Sequence, residues 1–262
     1  MNLALISRIS ECFVQQKHRR FVFGVLLDLE EDCVTLYLFD RSGTVSSQPL
    51  PIHDTTSTSY AAAARFVRII LLVSSQDPAI VGIDPAWFCR GTSKYVQIKD
   101  VVYKHIEDIH FSDSLFGHAS ASYLVEGPIS ESTGSERRRF VVKEAWREED
   151  RPAEYDILRE VEKHHVEGVA KVVDCDDEDE FNTRSLRPTL VRVSPEQGPS
   201  TGGDGEPTEL ADGYRGRIQT RFVQEFYGIR TIDQWKDPVI LLKALLDIVK
   251  GGFPPFILMF LQ

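Results

Sequence analysis

The chain has 262 residues, of which 42% are hydrophobic and 10% aromatic, so it can bury a sizeable core in one or two domains. Its formal net charge at pH 7 is −10. That acidic balance argues against general affinity for nucleic acid or for an anionic membrane surface, because both need a basic footprint.

Targeting and redox signals indicate a soluble protein inside the cell. Residues 1–8 lack the basic start of a secretory signal, and the apolar run at 256–261 is too short to span a bilayer. We therefore expect a cytoplasmic or nuclear location. The four cysteines have no Cys-x-x-Cys spacing, which favours free thiols over a zinc site or a disulfide framework: Cys12, Cys33, Cys89 and Cys175.

Residues 1–99 predict an α/β accessory module. Apolar residues recur at helical spacing near the N-terminus, and β-branched and aromatic runs separated by turn residues follow. The predicted elements are an amphipathic helix carrying Leu5, Ile9 and Phe13, an antiparallel three-stranded meander over 21–49, a helix over 59–74 and short strands over 80–107.

Residues 100–230 predict a five-stranded antiparallel sheet with one helix packed on it. Its parts are a hairpin of strands 109–114 and 121–126 around Gly117, a strand at 139–143, a helix at 152–163, and strands at 169–173 and 218–226. Polar, glycine- and proline-rich composition predicts a disordered insert over 174–217. The almost wholly apolar run 237–250 predicts a helix that belongs inside a core.

A lysine on a strand and a carboxylate on the next helix are the first candidate site residues. Lys143 ends the strand 139–143, and Glu154 lies in the first turn of the helix that follows. Protein kinases use this arrangement to hold the α- and β-phosphates of ATP. Glu160 is the alternative partner for Lys143.

Two further elements could complete a nucleotide site. Gly117 is the one glycine of the turn 114–120, where a strong phosphate-loop signal would hold three. The run 221–228 predicts a hinge strand, in which Gln224 or Val223 would be the gatekeeper. Glu225 and Tyr227 would then present backbone groups to adenine.

Several short segments together resemble the fungal-type protein kinase family. They are Arg20–Gly24, Leu38–Gly43, Val81–Pro85, Val141–Trp146 with Glu154 and Leu158, Phe226–Gly228 and Leu241–Val249. The resemblance implies an α+β fold: a kinase-like N-lobe with its αC helix, an accessory module over 1–99, and a partial kinase domain over 100–262 that includes only the first C-lobe helix. It also implies ATP as the cofactor.

The chain departs from that family pattern in its motifs for catalysis. Neither His-Arg-Asp nor Asp-Phe-Gly follows the predicted helix at 237–250. We therefore expect a kinase chain cut short before the catalytic loop and inactive in Ser/Thr-type phosphoryl transfer. ATP binding should be weak or absent, and magnesium is not expected. The alternative function is a non-catalytic binding or scaffold protein, in which the apolar region 237–262 drives self-association or binds a protein partner.

Overall fold

The computed structural model describes residues 3–52, 60–127, 138–166, 169–176, 180–187, 215–228 and 239. Within these ranges the helices are α1 (Leu3–Gln15), α2 (Ala61–Val73) and α3 (Glu154–Lys163). The strands are β1 (Phe21–Asp28), β2 (Cys33–Asp40), β3 (Gly43–Ser46), β4 (Leu50–Pro51), β5 (Trp87–Arg90), β6 (Ser93–Ile98), β7 (Val101–Phe111), β8 (Ala121–Gly127), β9 (Arg138–Glu148), β10 (Val172–Cys175) and β11 (Arg217–Glu225).

The N-terminal sheet contains the predicted meander. β1, β2 and β3 pair antiparallel in sequence order, and the short β4 pairs with the other end of β2. The amphipathic prediction for α1 is confirmed, because Ile9 and Phe13 are buried against Val22 and Phe39 of the sheet. Helix and sheet thus share one small apolar core.

The larger sheet has seven strands in the order β10-β11-β9-β8-β7-β6-β5, with every neighbouring pair antiparallel. Five of them, β7 to β11, are the strands predicted within 100–230. The two additional strands come from the first 99 residues, because β6 pairs with β7 across a tight turn. The sheet therefore continues past residue 99, and the proposed division into two domains there stays a prediction.

The N-terminal segment is joined to the larger sheet by a close backbone contact. The N–H of Arg20 donates to the carbonyl of Gly82 at 2.7 Å, and the N–H of Asp84 donates to the carbonyl of His18 at 2.9 Å. Gly82 has φ +87°, and a Cβ there would lie 2.1 Å from the carbonyl oxygen of Phe21. Only glycine fits this approach.

Helix α3 packs on one face of the larger sheet. Tyr155 is buried with Phe222 and Cys175, and Leu158 packs against the same cluster. This is the amphipathic spacing expected of a surface helix that turns one side to a sheet. Glu154 and Asp156 occupy the first turn of α3, where negative charge is favoured by the helix dipole.

The structure differs from the sequence prediction within the insert 174–217. Residues 183–186 form a 3₁₀ turn, and Thr183 and Arg187 are buried. The side chain of Arg187 donates to Asp40 of the N-terminal sheet at 2.6 Å. Disorder is therefore the wrong prediction for 180–187, since long-range polar contacts anchor this polar segment. It is also wrong for the two ends of the insert, because 174–175 belong to β10 and 217 to β11. Residues 177–179 and 188–214 lie outside the described residues.

Some predictions fall on other parts of the chain that are not described. The helix predicted at 237–250 lies outside the described residues apart from Val239, and so does the apolar region 251–262. Among the described helices, none is long and apolar enough to cross a membrane. None of the four cysteines forms a disulfide bond, and free thiols stay a prediction of their spacing.

Candidate nucleotide site

The structure brings Lys143 and Glu154 together as an ion pair between the Lys143 Nζ and Glu154 Oε1 atoms. Lys143 lies on β9, opposite Ser122 of β8 and Phe222 of β11. Its Nζ atom also lies 5.6 Å from the centroid of the Phe222 ring. Because α3 packs on Phe222, its first residue, Glu154, is placed beside the lysine.

The Lys143–Glu154 pair remains accessible to solvent. The side chains of Lys143 and Glu154 are 29% and 45% exposed. The alternative partner Glu160 contacts Lys163 at 2.8 Å and His164 at 3.4 Å on its own helix. The strand lysine thus has the partner that the sequence favoured, and a ligand can still reach both groups.

The loop between β7 and β8 is bonded to β9, the strand that carries Lys143. Gly117 has φ +92°, and a Cβ there would meet nothing within 4 Å, so its backbone conformation rather than crowding favours glycine. The N–H of Trp146 on β9 donates to the carbonyl of His118 at 2.7 Å. The loop therefore lies over the end of the strand that carries Lys143.

The hinge candidates lie at the end of β11. In an antiparallel sheet, residues two apart share a face, so Gln224 shares the face of Phe222 and Lys143, whereas Val223 is fully buried in the opposite core. Of the two gatekeeper candidates, Gln224 therefore lies on the side of the lysine.

Glu225 and Tyr227 contact each other, the Tyr227 hydroxyl donating to Glu225 Oε2 at 2.7 Å. The N–H of Glu225 already donates to the carbonyl of Lys171 at 3.1 Å, so this group is not free for adenine. The Glu225 carbonyl and the backbone of the exposed Tyr227 stay predicted contacts.

A cavity of about 650 Å³ lies elsewhere in the protein. None of the predicted site residues lines it. Its lining residues are Arg20, Pro85, Ala86, Gln97, Lys99, Asp176, Glu180, Phe181, Asn182 and Ser185. Within the described ranges, no cluster of three or more His, Cys, Asp or Glu residues is placed to hold a metal ion.

Sequence reasoning missed a buried ionic network on the opposite face of β9 and β11. Arg221 binds three carboxylates: Asp84, Glu144 at 2.6 Å and Asp176 at 3.2 Å. The side chains of Arg221, Asp84 and Glu144 are 3%, 0% and 6% exposed. The available signal was a charged residue at a position that alternates with apolar ones: Glu144 lies two residues from Val142 and from Trp146, and Arg221 lies two residues before Val223.

The network sets the charge states of its members. Burial alone would raise the pKa of Glu144, but the charge of Arg221 and smaller contributions from His18 and Trp87 together outweigh it and hold that pKa below its usual range. Burial likewise disfavours the charged form of Arg221, yet Asp84 and Glu144 together raise its pKa. Both groups are therefore ionised at neutral pH.

His18 lies beside this network, and its ring forms no hydrogen bond with the described residues. Its ring stacks on Trp87 with centroids 3.8 Å apart, and its Nδ1 atom is 3.9 Å from Glu144 Oε2, too far for a hydrogen bond. Neither ring nitrogen has a hydrogen-bond partner among the described residues. Burial lowers the pKa of His18, with Glu144 opposing the shift, so the ring is buried in its neutral form.

Three consecutive residues of the N-terminal sheet hold separate parts of the molecule. Asp40 pairs with Arg187 of the 3₁₀ turn, and burial raises the pKa of Asp40 although Arg187 opposes this. Arg41 donates to loop carbonyls at 2.6 Å and 3.1 Å. The hydroxyls of Ser42 and Thr183 are 2.6 Å apart. The segment Leu38–Gly43, quoted above for its family resemblance, is therefore a structural junction.

An α+β architecture of antiparallel sheets with few helices, and a strand lysine paired to a helix glutamate, are compatible with a kinase-like fold. The family model described as fungal protein kinase matches residues 2–253. The chain belongs to the fungal protein kinase family. Searches of curated proteins and of solved structures give no match.

Proposed function

We propose that the chain binds ATP on the Lys143 face, where the larger sheet and α3 act as the N-lobe of a kinase-like fold. The observation that carries this proposal is the ion pair between Lys143 on β9 and Glu154 at the start of α3. A lysine held by a helix glutamate is the group that kinases direct at the ATP phosphates. Family membership supports the same conclusion.

Binding is proposed to be weak because the rest of the site is sparse. The β7–β8 loop offers one glycine, Gly117, and the amide of Glu225 is already bonded within the protein. Lys143 supplies the positive charge for the phosphates, and Gln224 lines the adenine side. With no predicted magnesium ligand, affinity should be nearly independent of magnesium.

We further propose that these 262 residues alone do not transfer a phosphoryl group. A kinase needs an aspartate to accept the proton of the attacking hydroxyl and a second aspartate to hold magnesium. The 262 residues contain neither His-Arg-Asp nor Asp-Phe-Gly. The proposed activity is therefore nucleotide binding rather than catalysis.

The test is calorimetric titration of the purified chain with ATP, with and without magnesium. The wild type should bind weakly under both conditions, and Lys143→Ala should abolish binding because the phosphates lose their nearest cation. Lys163→Ala is the matched control, since Lys163 is also paired to a glutamate of α3 but lies at the far end of the helix.

Three results would contradict the proposal: no binding by the wild type, equal loss in both lysine variants, or tight binding that requires magnesium. Phosphate transfer to a general substrate, measured on the same samples, should stay at background. Turnover that disappears in Lys143→Ala would show that the chain is catalytic after all.

A second candidate is a non-catalytic scaffold that binds a protein partner or its own copy. It is favoured by the combination of a kinase-like ion pair with a sequence that lacks both catalytic motifs. The proposed contact region is the apolar stretch 237–262. Light scattering of the chain with and without residues 232–262 would test it, and a monomeric full chain would contradict self-association.

A further inference from the structure

The tip of the β7–β8 loop is fastened to the N-terminal sheet by hydrogen bonds to one arginine. The Nη1 atom of Arg41 donates to the carbonyls of Ser114 at 2.6 Å and Leu115 at 3.1 Å. In the reverse direction, the N–H of Gly117 donates to the carbonyl of Arg41 at 3.1 Å. Three bonds thus connect one residue with three positions of a short loop.

Apolar contacts strengthen the same attachment. Leu115 packs against the N-terminal core cluster, which includes Phe13 and Phe39. The guanidinium of Arg41 lies 4.5 Å from the centroid of the Phe13 ring and is 3% exposed. Burial lowers the pKa of Arg41 to about 10, so it remains a cation at neutral pH. Release of the loop would leave this buried charge without its carbonyl partners, which is unfavourable.

The other side of the loop is bonded to the strand of the site lysine. The carbonyl of His118 accepts from the N–H of Trp146, three residues after Lys143 on β9. The loop conformation is therefore set from two directions, by the N-terminal sheet and by the lysine strand. Gly117 lies between these two attachments, in its positive-φ conformation.

We propose that Arg41 is a positioning residue, which holds the β7–β8 loop in the conformation that binds the phosphates of ATP at Lys143. This inference rests on the proposed function. Arg41 acts through the backbone of 114–117 and does not itself contact the nucleotide. In consequence, nucleotide affinity depends on the N-terminal sheet as well as on the sheet that carries the site.

Amide hydrogen exchange of the apo chain tests the attachment itself. In Arg41→Ala the loop amides of 112–120 should exchange faster, while those of β1 and β2 stay protected. Leu115→Ser removes the apolar contact from the loop side, and it leaves the N-terminal sheet intact if Arg41→Ala fails to fold. Arg90→Ala is the matched control, because Arg90 also lies over aromatic rings, those of Phe88 and Tyr95, on the edge strand β5.

Titration of the same variants with ATP and with adenosine tests the consequence. If the binding-competent loop falls to roughly a tenth of its population, the ATP dissociation constant rises about tenfold, whereas adenosine affinity hardly changes because it has no phosphates. Arg41→Lys, which keeps the charge and one donor, should restore part of the ATP affinity. A merely structural role would lower both affinities together.

Unchanged loop exchange in both variants overturns the proposal. So does equal loss of ATP and adenosine, or a gain in ATP affinity, which would mean that the attachment inhibits binding. A wild type that binds neither nucleotide overturns the proposed function and the positioning role with it. That failure is recognisable, because loop exchange would still respond to Arg41.

Discussion

Strand β9 carries two charged residues in succession, and their ion pairs lie on opposite faces of the sheet. Lys143 pairs with Glu154 on the α3 face, where the two side chains are 29% and 45% exposed. Glu144 pairs with Arg221 on the other face, where the exposed fractions are 6% and 3%. Lys143 and Glu144 are therefore adjacent in the sequence, but the first is accessible to solvent and the second is buried.

We interpret this difference as one between a proposed binding site and a structural element. An exposed pair contributes little to stability, and its lysine can exchange a carboxylate for a phosphate at small cost. A buried network is different, because removing one member leaves uncompensated charges in the interior. We expect substitutions on the Lys143 face to affect binding, and those on the Arg221 face to affect folding.

The largest expected effect is on the buried face. Arg221→Met should lower the free energy of unfolding by roughly 3–5 kcal/mol, because Glu144 loses its cation while still buried and Asp84 keeps only its ion pair with Arg20. Urea denaturation followed by fluorescence measures this. Lys143→Met is the matched control on the opposite face and should cost less than about 1 kcal/mol. Equal losses in the two variants would remove the distinction between the faces.

An intermediate effect should appear as a pH dependence from His18. Its folded pKa is lowered from the ordinary 6.5 by burial, so the unfolded chain binds more protons and stability falls as pH drops below that value. His18→Phe keeps the stacking on Trp87 and removes the titration. Its melting temperature should vary less than that of the wild type between about pH 8 and pH 5.

The groups around His18 do not confuse this test. The pKa of Glu144 is held below the ordinary 4.5, so this carboxyl titrates below the pH range of the test. Burial lowers the pKa of Lys94 from the ordinary 10.5. His164→Phe is the control, since His164 is 73% exposed. An identical pH profile for His18→Phe and the wild type would show that this ring does not contribute.

The smallest expected effect is the coupling between Lys143 and Glu154. A double-mutant cycle with Lys143→Met and Glu154→Gln should give an interaction free energy of about 0.2–1 kcal/mol from urea denaturation, which is typical of exposed pairs. The same variants should lose ATP affinity. A coupling of several kcal/mol would show that this pair behaves like the buried network, and it would contradict the proposal that the pair is an accessible binding site.

Local sequence patterns made the Lys143 face of the sheet predictable. The strand that carries Lys143 and the helix containing Glu154 follow from alternation and from helical spacing within about twenty residues of chain. The meander of β1 to β3 was predictable for the same reason. The strand of Lys143 does not end there as predicted, but continues to Glu148. The side chains of Lys143 and Glu154 meet because the helix buries its apolar face on the sheet that contains the strand.

The buried network on the Arg221 face depends on contacts between segments that are distant in the sequence. Asp84 lies 137 residues before Arg221, and Glu144 lies 77 residues before it. The sequence around Asp84, Glu144 and Arg221 gave no indication that these three residues are partners. The polar segment 180–187 was mistaken for disorder for the same reason, because its anchor, Asp40, comes from the first sheet. Sequence spacing carries no information about such pairs.

The attachment of the 3₁₀ turn has a consequence for variation in chain length. The hydroxyl of Thr183 accepts from the N–H of Arg217 at 2.9 Å, and Asn182 forms a β-bridge with Ile218, so residues far apart in the sequence are held together here. A connection whose ends are already fixed together pays only about 0.6 kcal/mol for each doubling of its length. We therefore expect that a change in chain length between Arg187 and Arg215 leaves the contact of the 3₁₀ turn with β11 in place.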